Sequence, residues 1–218
     1  MAEASFKNRI KELEFLSECY QKGTPKLIIL YGRRRVGKTE LVREFLKKHK
    51  GLYLLARQES EMEQLRKLSS QLAEFYEDKL LTVNPFQNWD SFFTYLAEKP
   101  RIPIVIDEFP YMVQASKKIT SILQGYWDNS FSKKNAFIIL CGSSIQMMEG
   151  LLGKKSPIYG RRTEQILLEP LKFRSVLFEK KGDTDEFIDV MTQCMGIKNG
   201  KLTKRYLEDF INKIQVFE

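Results

Sequence analysis

The chain predicts an α/β fold: a three-layer α/β/α sandwich whose parallel five-stranded sheet runs in the order 5-1-4-3-2. Two observations carry that expectation. Short apolar runs alternate with stretches of helical periodicity, the pattern of strand–helix–strand units whose crossovers make neighbouring strands parallel. One of these runs, Leu27 to Tyr31, leads directly into Gly32-x-x-x-x-Gly37-Lys38-Thr39 and then into Leu41, Val42, Phe45 and Leu46 at helical spacing. Strand, glycine loop and helix form the context that a phosphate-binding loop requires.

The remaining elements follow in order. Phe6, Ile10, Leu13, Phe15, Leu16 and Cys19 make an apolar stripe, so residues 6–20 predict a helix, ended by Gly23-Thr24-Pro25. Gly51 stops the helix after the loop, and Leu52 to Ala56 reads as the second strand. Glu59 to Lys79 predicts one long surface helix, with Met62, Leu65, Leu68, Leu72, Phe75 and Tyr76 near helical spacing. Trp89 to Leu96 gives a shorter helix closed by Pro100, and Ile102 to Ile106 a third strand ending on Asp107-Glu108. A helix is expected over 111–129, a turn at Lys133 to Asn135, and a fourth strand from Ala136 to Cys141, ending on Gly142-Ser143-Ser144. A short helix over 145–152, a polar basic loop over 153–163 and a fifth strand from Gln165 to Leu168 complete the sheet. Residues 1–172 are thus expected to form the core domain. Residues 173–218 predict a small helical extension: Asp183 and Glu186 form a capping-box-like start, Gly196 a stop, and Thr203 a second start.

Composition narrows the classes of function. The 218 residues suffice for one α/β core, and no apolar run reaches the length that spans a bilayer. Met1 to Ser5 has neither a basic n-region nor an apolar h-region, and Cys19, Cys141 and Cys194 lack metal or redox spacing. A cytoplasmic protein with reduced thiols is the expectation. The single histidine, His49, lies in a Lys-Lys-His-Lys run at a helix end, which excludes zinc sites and histidine-dependent triads. A formal charge of +8 suits a nucleic-acid partner and equally an ordinary basic surface.

The loop carries the chemistry. Gly32 and Gly37 permit backbone conformations that let successive amides turn inward around an anion, and the following helix presents its free N–H groups to it. Arg33, Arg34, Arg35 and Val36 fill the loop, with Glu40 just beyond it. Backbone does the binding there, so the three arginine side chains point outward, to a partner or the ribose side. Lys38 is placed for the β- and γ-phosphates and Thr39 for Mg²⁺. In a parallel sheet ligands sit at the carboxyl ends of strands, so Asp107 faces the loop and can hold the metal shell. Glu108 beside it can polarise a water for in-line attack. Ser143 and Ser144 end the next strand: either a hydroxyl meets the γ-phosphate or its attacking water, or the turn caps the following helix. Arg161 and Arg162 either stabilise the transition state or are solvated loop arginines. The Asn-Lys-x-Asp motif of guanine-specific proteins does not occur, which favours adenine.

These pieces resemble the archaeal-type ATPase family, a branch of the AAA+/STAND P-loop NTPases related to origin-recognition ATPases. The resemblance rests on Phe6-Lys-Asn-Arg9-x-x-Glu12-Leu13, Tyr31 to Thr39 (Walker A) and Val105 to Tyr111 (Walker B). Cys141 to Ile145 and Tyr159 to Thr163, followed by Leu168 to Phe173, extend it. The family usually has a Gly-Arg pair where this chain has Asn8-Arg9. The likeness implies that Arg9 lies near the adenine, that Ser143 or Ser144 acts as sensor, and that Arg161 or Arg162 is a candidate finger. Relatives continue into a helical lid with a Gly-Gly-x-Pro-type turn and a winged-helix domain. Here Gly196 to Gly200 stands at that turn, so 173–218 is expected to be a partial lid.

The expected function is therefore an ATP-binding, Mg²⁺-dependent ATPase module that turns over slowly as a switch, with ATP/ADP as ligands and a protein partner or homo-oligomer besides. Two alternatives stay open: a nucleic-acid-binding accessory protein in which ATP is structural, and a small-molecule kinase with 153–163 as lid.

Overall fold

Strands β1 (Lys26–Tyr31), β2 (Leu52–Leu55), β3 (Pro103–Asp107), β4 (Phe137–Gly142) and β5 (Glu164–Leu167) form one sheet in the order β2-β3-β4-β1-β5, the predicted order read from its other edge. Every pairing is parallel. The computed structural model describes residues 9–170; the expected boundary at 172/173 and the extension over 173–218 lie outside them.

Alternation along the strands divides the core into two layers. From β1, Leu27, Ile29 and Tyr31 face one layer and Ile28 and Leu30 the other. The second layer is built on α1 (Ile10–Gln21) and α2 (Lys38–His49), through Leu16, Cys19, Leu41, Val42 and Phe45. Strand residues Tyr53, Val105, Phe137, Ile139 and Cys141 meet them there. The first layer receives α3 (Glu61–Tyr76), α4 (Lys79–Val83), α5 (Trp89–Glu98), α6 (Phe109–Ala115), α7 (Ile119–Tyr126) and α8 (Ile145–Leu152). Trp89, Phe92 and Phe93 of α5 are buried there in a chain of edge-to-face ring contacts.

Two expected helices are each interrupted. The helix expected over 59–79 ends at Tyr76, because Glu77 takes a left-handed conformation (φ 54°) and Asp78 caps a new start by accepting from the Leu80 and Leu81 amides. The helix expected over 111–129 begins earlier, at Phe109, breaks at Ser116, whose backbone is extended, and resumes as α7. It finishes in a π-helical turn over Trp127–Phe131. The start of α3 is a full capping box: the Ser60 hydroxyl accepts from the Glu63 amide while Glu63 reaches back to the Ser60 amide.

Gly51 lies where α2 ends and β2 begins, and a Cβ there would stand 2.3 Å from a Leu46 methyl and 2.5 Å from the Pro103 carbonyl oxygen. Gly125, inside α7, has nothing within 4 Å of a Cβ. Opposite outcomes are expected. Gly51→Ala should lower the melting temperature by about 5 °C, from an overpacking cost of about 2 kcal/mol. Gly125→Ala should raise it by a few degrees, since alanine is the better helix former by about 1 kcal/mol. Thermal melts of the two variants read both signs.

Candidate functional site

All five strands end at the same edge of the sheet, and the connections leaving β1, β2, β3 and β4 surround a cavity of about 630 Å³. Arg34, Arg35, Gly37, Lys38, Thr39 and Glu40 line it from the loop and the start of α2, and Glu108, Tyr111 and Ser143 from the far side.

The loop's shape depends on its two glycines. Gly32 has φ 156°, and a Cβ there would lie 2.2 Å from the Leu168 carbonyl oxygen, so the chain leaving β5 closes directly on it. Gly37 caps α2 at φ 89° with free space around it; the conformation, rather than crowding, calls for glycine. Arg35 also stands at positive φ, 66°. Lys38 is only 6% exposed, and its ammonium donates to the Gly32 and Arg33 carbonyls, both at 2.9 Å. Burial lowers its pKa, while the carboxylates of Glu108 and Asp107 pull it the other way.

Strand alternation then brings the acid to the helix. Asp107 lies two residues past Val105 on the α2 face of the sheet, and Thr39 is in the first turn of α2. The Thr39 hydroxyl donates to Asp107 Oδ2 at 2.9 Å. Tyr53, on the same face of neighbouring β2, donates its hydroxyl to the same oxygen at 2.7 Å. Asp107 Oδ1 accepts the Glu108 amide at 2.9 Å. Burial raises the Tyr53 pKa first, and the bond to Asp107 and its charge add to it. Arg43 stacks over the Tyr53 ring, 5.3 Å from its centroid.

Glu108 is turned across the cavity by a left-handed backbone (φ 53°, ψ 39°), an uncommon conformation for a side chain of this size. Its Oε2 accepts both the Ser143 hydroxyl, at 3.0 Å, and the Ser143 amide, at 3.3 Å. Ser143 is therefore the partner of Glu108. Ser144 holds the N-cap position of α8 without a side-chain cap bond, and lines a smaller cavity of about 290 Å³ beside Gln58, Gln114 and Met147.

The arginines separate into groups. Arg33, Arg34 and Arg35 are exposed, and Arg34 Nη2 donates to the Tyr111 hydroxyl at 3.2 Å across the cavity mouth. Arg9 is 8% exposed and meets the loop itself: Nη2 donates to the Val36 carbonyl at 3.0 Å and to that of Glu169, while Nη1 pairs with Glu12 at 2.9 Å. It braces the outer side of the loop. Arg161 and Arg162 are not brought there. They precede β5, where the Thr163 amide donates to Leu27, five residues or about 16 Å of strand before Gly32. Arg161 forms a two-pronged pair with Asp128, at 2.8 and 3.1 Å, and Arg162 donates to the Leu152 carbonyl at 2.6 Å.

Sequence reading passed over Tyr53, Arg57, Gln58 and Tyr111. Arg57 and Gln58 line the cavity because they directly follow β2, a place that strand assignment alone points to. Tyr53 had a signal too: it alternates onto the face that carries Asp107.

The chain matches the family described as an ATPase domain predominantly from Archaea, over residues 6–204. It is 30% identical over 194 residues to protein MJECL04 of Methanocaldococcus jannaschii, covering 88% of this chain and 42% of that protein. A second relative from that organism, the ATP-binding protein MJ0423, is 56% identical over 45 residues, 21% of this chain and 76% of that one. Among solved structures, the Walker-type ATPase paby2304 of Pyrococcus abyssi has a TM-score of 0.59 at 22% identity, covering 91% of this chain and 61% of that one. ORC2 of Aeropyrum pernix, solved as ADPNP–ADP complexes, has a TM-score of 0.62 at 14% identity, covering 98% and 70%. These structural likenesses establish a common fold. The chain spans less than half of MJECL04 and about three fifths of paby2304. By the extent of the family match, the chain belongs to the ATPase-domain family found predominantly in Archaea.

Proposed function

We propose that this chain is an ATP-binding, Mg²⁺-dependent ATPase module that hydrolyses ATP slowly to ADP and phosphate and uses the cycle as a switch. One observation carries the reading: Lys38, Thr39 and Glu108 line one cavity at the strand ends, with Asp107 hydrogen-bonded to Thr39 and Ser143 to Glu108. The description of MJ0423 as ATP-binding and the nucleotides solved with ORC2 point the same way.

The donor set fits Mg²⁺. Thr39 Oγ1 and Asp107 Oδ2 are hard oxygens already 2.9 Å apart, and among the described residues no cluster of three His, Cys, Asp or Glu exists to form an all-protein cage. Magnesium is typically held by one or two protein oxygens with phosphates and water supplying the rest. Thr39 and Asp107 would hold it, and it would neutralise charge on the β- and γ-phosphates.

The residues of the chain divide the remaining work. Loop amides and the start of α2 orient the phosphates, and Lys38 exchanges its two carbonyl partners for phosphate oxygens. In the hydrolytic step a water oxygen bonds to the γ-phosphorus, the bridging β–γ bond breaks toward ADP, and the water proton passes to Glu108. Glu108 Oε2 is engaged by two donors of one serine, which orients the carboxylate and leaves Oε1 to take the proton. Arg161, held near the strand starts by Asp128, would serve only the site of another copy.

Phosphate release by Glu108→Gln should fall at least 100-fold while ATP–Mg²⁺ affinity stays within about threefold. Turnover equal to the parent chain would remove Glu108 from its role. Tyr53 is a positioning residue for Asp107. Tyr53→Phe should raise the Mg²⁺ concentration needed for half-maximal ATP binding by about tenfold. Superimposable Mg²⁺ titrations would show that Asp107 stands without it.

A further inference from the structure

The opposite end of the sheet carries a second surface. Because all five strands are parallel, the five linkers that lead into them emerge at one edge, away from the cavity. They are residues 22–25, 50–51, 99–102, 132–136 and 153–163. Between them they hold ten lysines and arginines and no aspartate or glutamate. They are also knit together. Arg101 donates to the carbonyls of Tyr20 and Asn135, both at 2.7 Å, and Lys134 to that of Ala97 at 2.6 Å.

Half of these cations have structural work. Arg101 and Lys134 make the bonds just given, Lys99 sits 4.0 Å from the Tyr95 ring centroid, and Arg161 and Arg162 hold Asp128 and Leu152. The other half, Lys22, Lys50, Lys133, Lys154 and Lys155, are exposed, and their side chains make no hydrogen bond or ion pair among the described residues. Helix dipoles explain only two of them. Lys22 and Lys50 stand at the C-caps of α1 and α2, where a cation suits the dipole, whereas Lys133, Lys154 and Lys155 lie beyond the π-helical turn and α8. Of the acids beside the linkers, Asp128 and Glu164 are already paired with Arg161 and Lys26, and Glu18 and Glu98 lie in the last turns of α1 and α5 rather than in the linkers.

We propose that this edge is a docking surface for the phosphate backbone of a nucleic-acid duplex. Five strands spaced about 4.8 Å apart set the linkers over about 19 Å. A duplex presents one phosphate charge per ~1.7 Å of axis, so about 11 charges lie over that length. Five free lysines on a rigid, knit edge match a continuous line of charge. An anionic membrane would call for exposed apolar side chains beside the cations, and in these linkers Tyr159 is the one large apolar residue exposed. The surface is separate from the nucleotide cavity, so the proposal stands or falls independently of ATP hydrolysis.

The test measures binding of the 218-residue chain to a fluorescent 20-base-pair duplex of arbitrary sequence between 50 and 200 mM KCl. Five phosphate contacts predict a slope of about −4.5 in log K against log salt, a loss of roughly 500-fold across that range. Combined Lys22→Glu, Lys50→Glu, Lys133→Glu, Lys154→Glu and Lys155→Glu should weaken binding at 50 mM at least 100-fold and leave ATP–Mg²⁺ binding unchanged. If that variant does not fold, the Lys154→Glu, Lys155→Glu pair is read instead, and its slope should flatten by about 2. No duplex binding by the parent chain at 50 mM overturns the proposal, as does unaltered binding by the variants. Sedimentation with phosphatidylserine vesicles, without duplex binding, would overturn it in favour of a membrane.

Discussion

A buried carboxylate organises the site. Asp107 is 2% exposed, and a charge so placed is tolerated only when donors replace the water it has lost. Thr39, Tyr53 and the Glu108 amide supply three. Thr39 and Tyr53 come from other parts of the chain, so satisfying one side chain fixes the start of α2, strand β2 and the end of β3 relative to each other. The third bond holds the backbone from which Glu108 turns across the cavity to Ser143. The loop through Thr39, and Glu108 with its partner Ser143, are thereby tied to a single polar centre.

Much of the fold was legible because its signals are local. The strand core of β1 and the extent of α8 follow from an apolar run and from helical spacing, and the strand order agrees with the expected one. The two interrupted helices were not legible. Apolar spacing continues through Glu77 and Ser116, and the breaks depend on backbone conformations that tertiary packing selects. Periodicity registers which residues are buried, and it is blind to a single left-handed residue between two helical turns.

The site divides in the same way. Gly32, Gly37, Lys38 and Thr39 form a contiguous motif whose geometry is dictated by its own backbone, so sequence spacing located them. Asp107 and Glu108 were placed by the rule that ligands gather at strand ends. Tyr53 and Arg57 are contributed from a neighbouring strand without a motif, and only sheet register brings them in. Ser143 was expected near the γ-phosphate or in a helix cap, and in the structure it holds Glu108. The separation of Arg161 and Arg162 from the cavity follows from direction: residues before a parallel strand and residues after its neighbour lie at opposite ends of the sheet. That polarity gives the described residues two distinct edges, one carrying the glycine loop and the two acids at the strand ends, the other lysine-rich at the strand starts.

The central claim is that the loop and the two acids form one ATP–Mg²⁺ site. Titration calorimetry of the 218-residue chain with ATP, with and without Mg²⁺, tests it most directly when repeated on Lys38→Ala. The account predicts one ATP bound per chain in the presence of Mg²⁺, and a loss of at least 100-fold in affinity when the ammonium is removed. Equal affinity in the parent chain and in Lys38→Ala would contradict it.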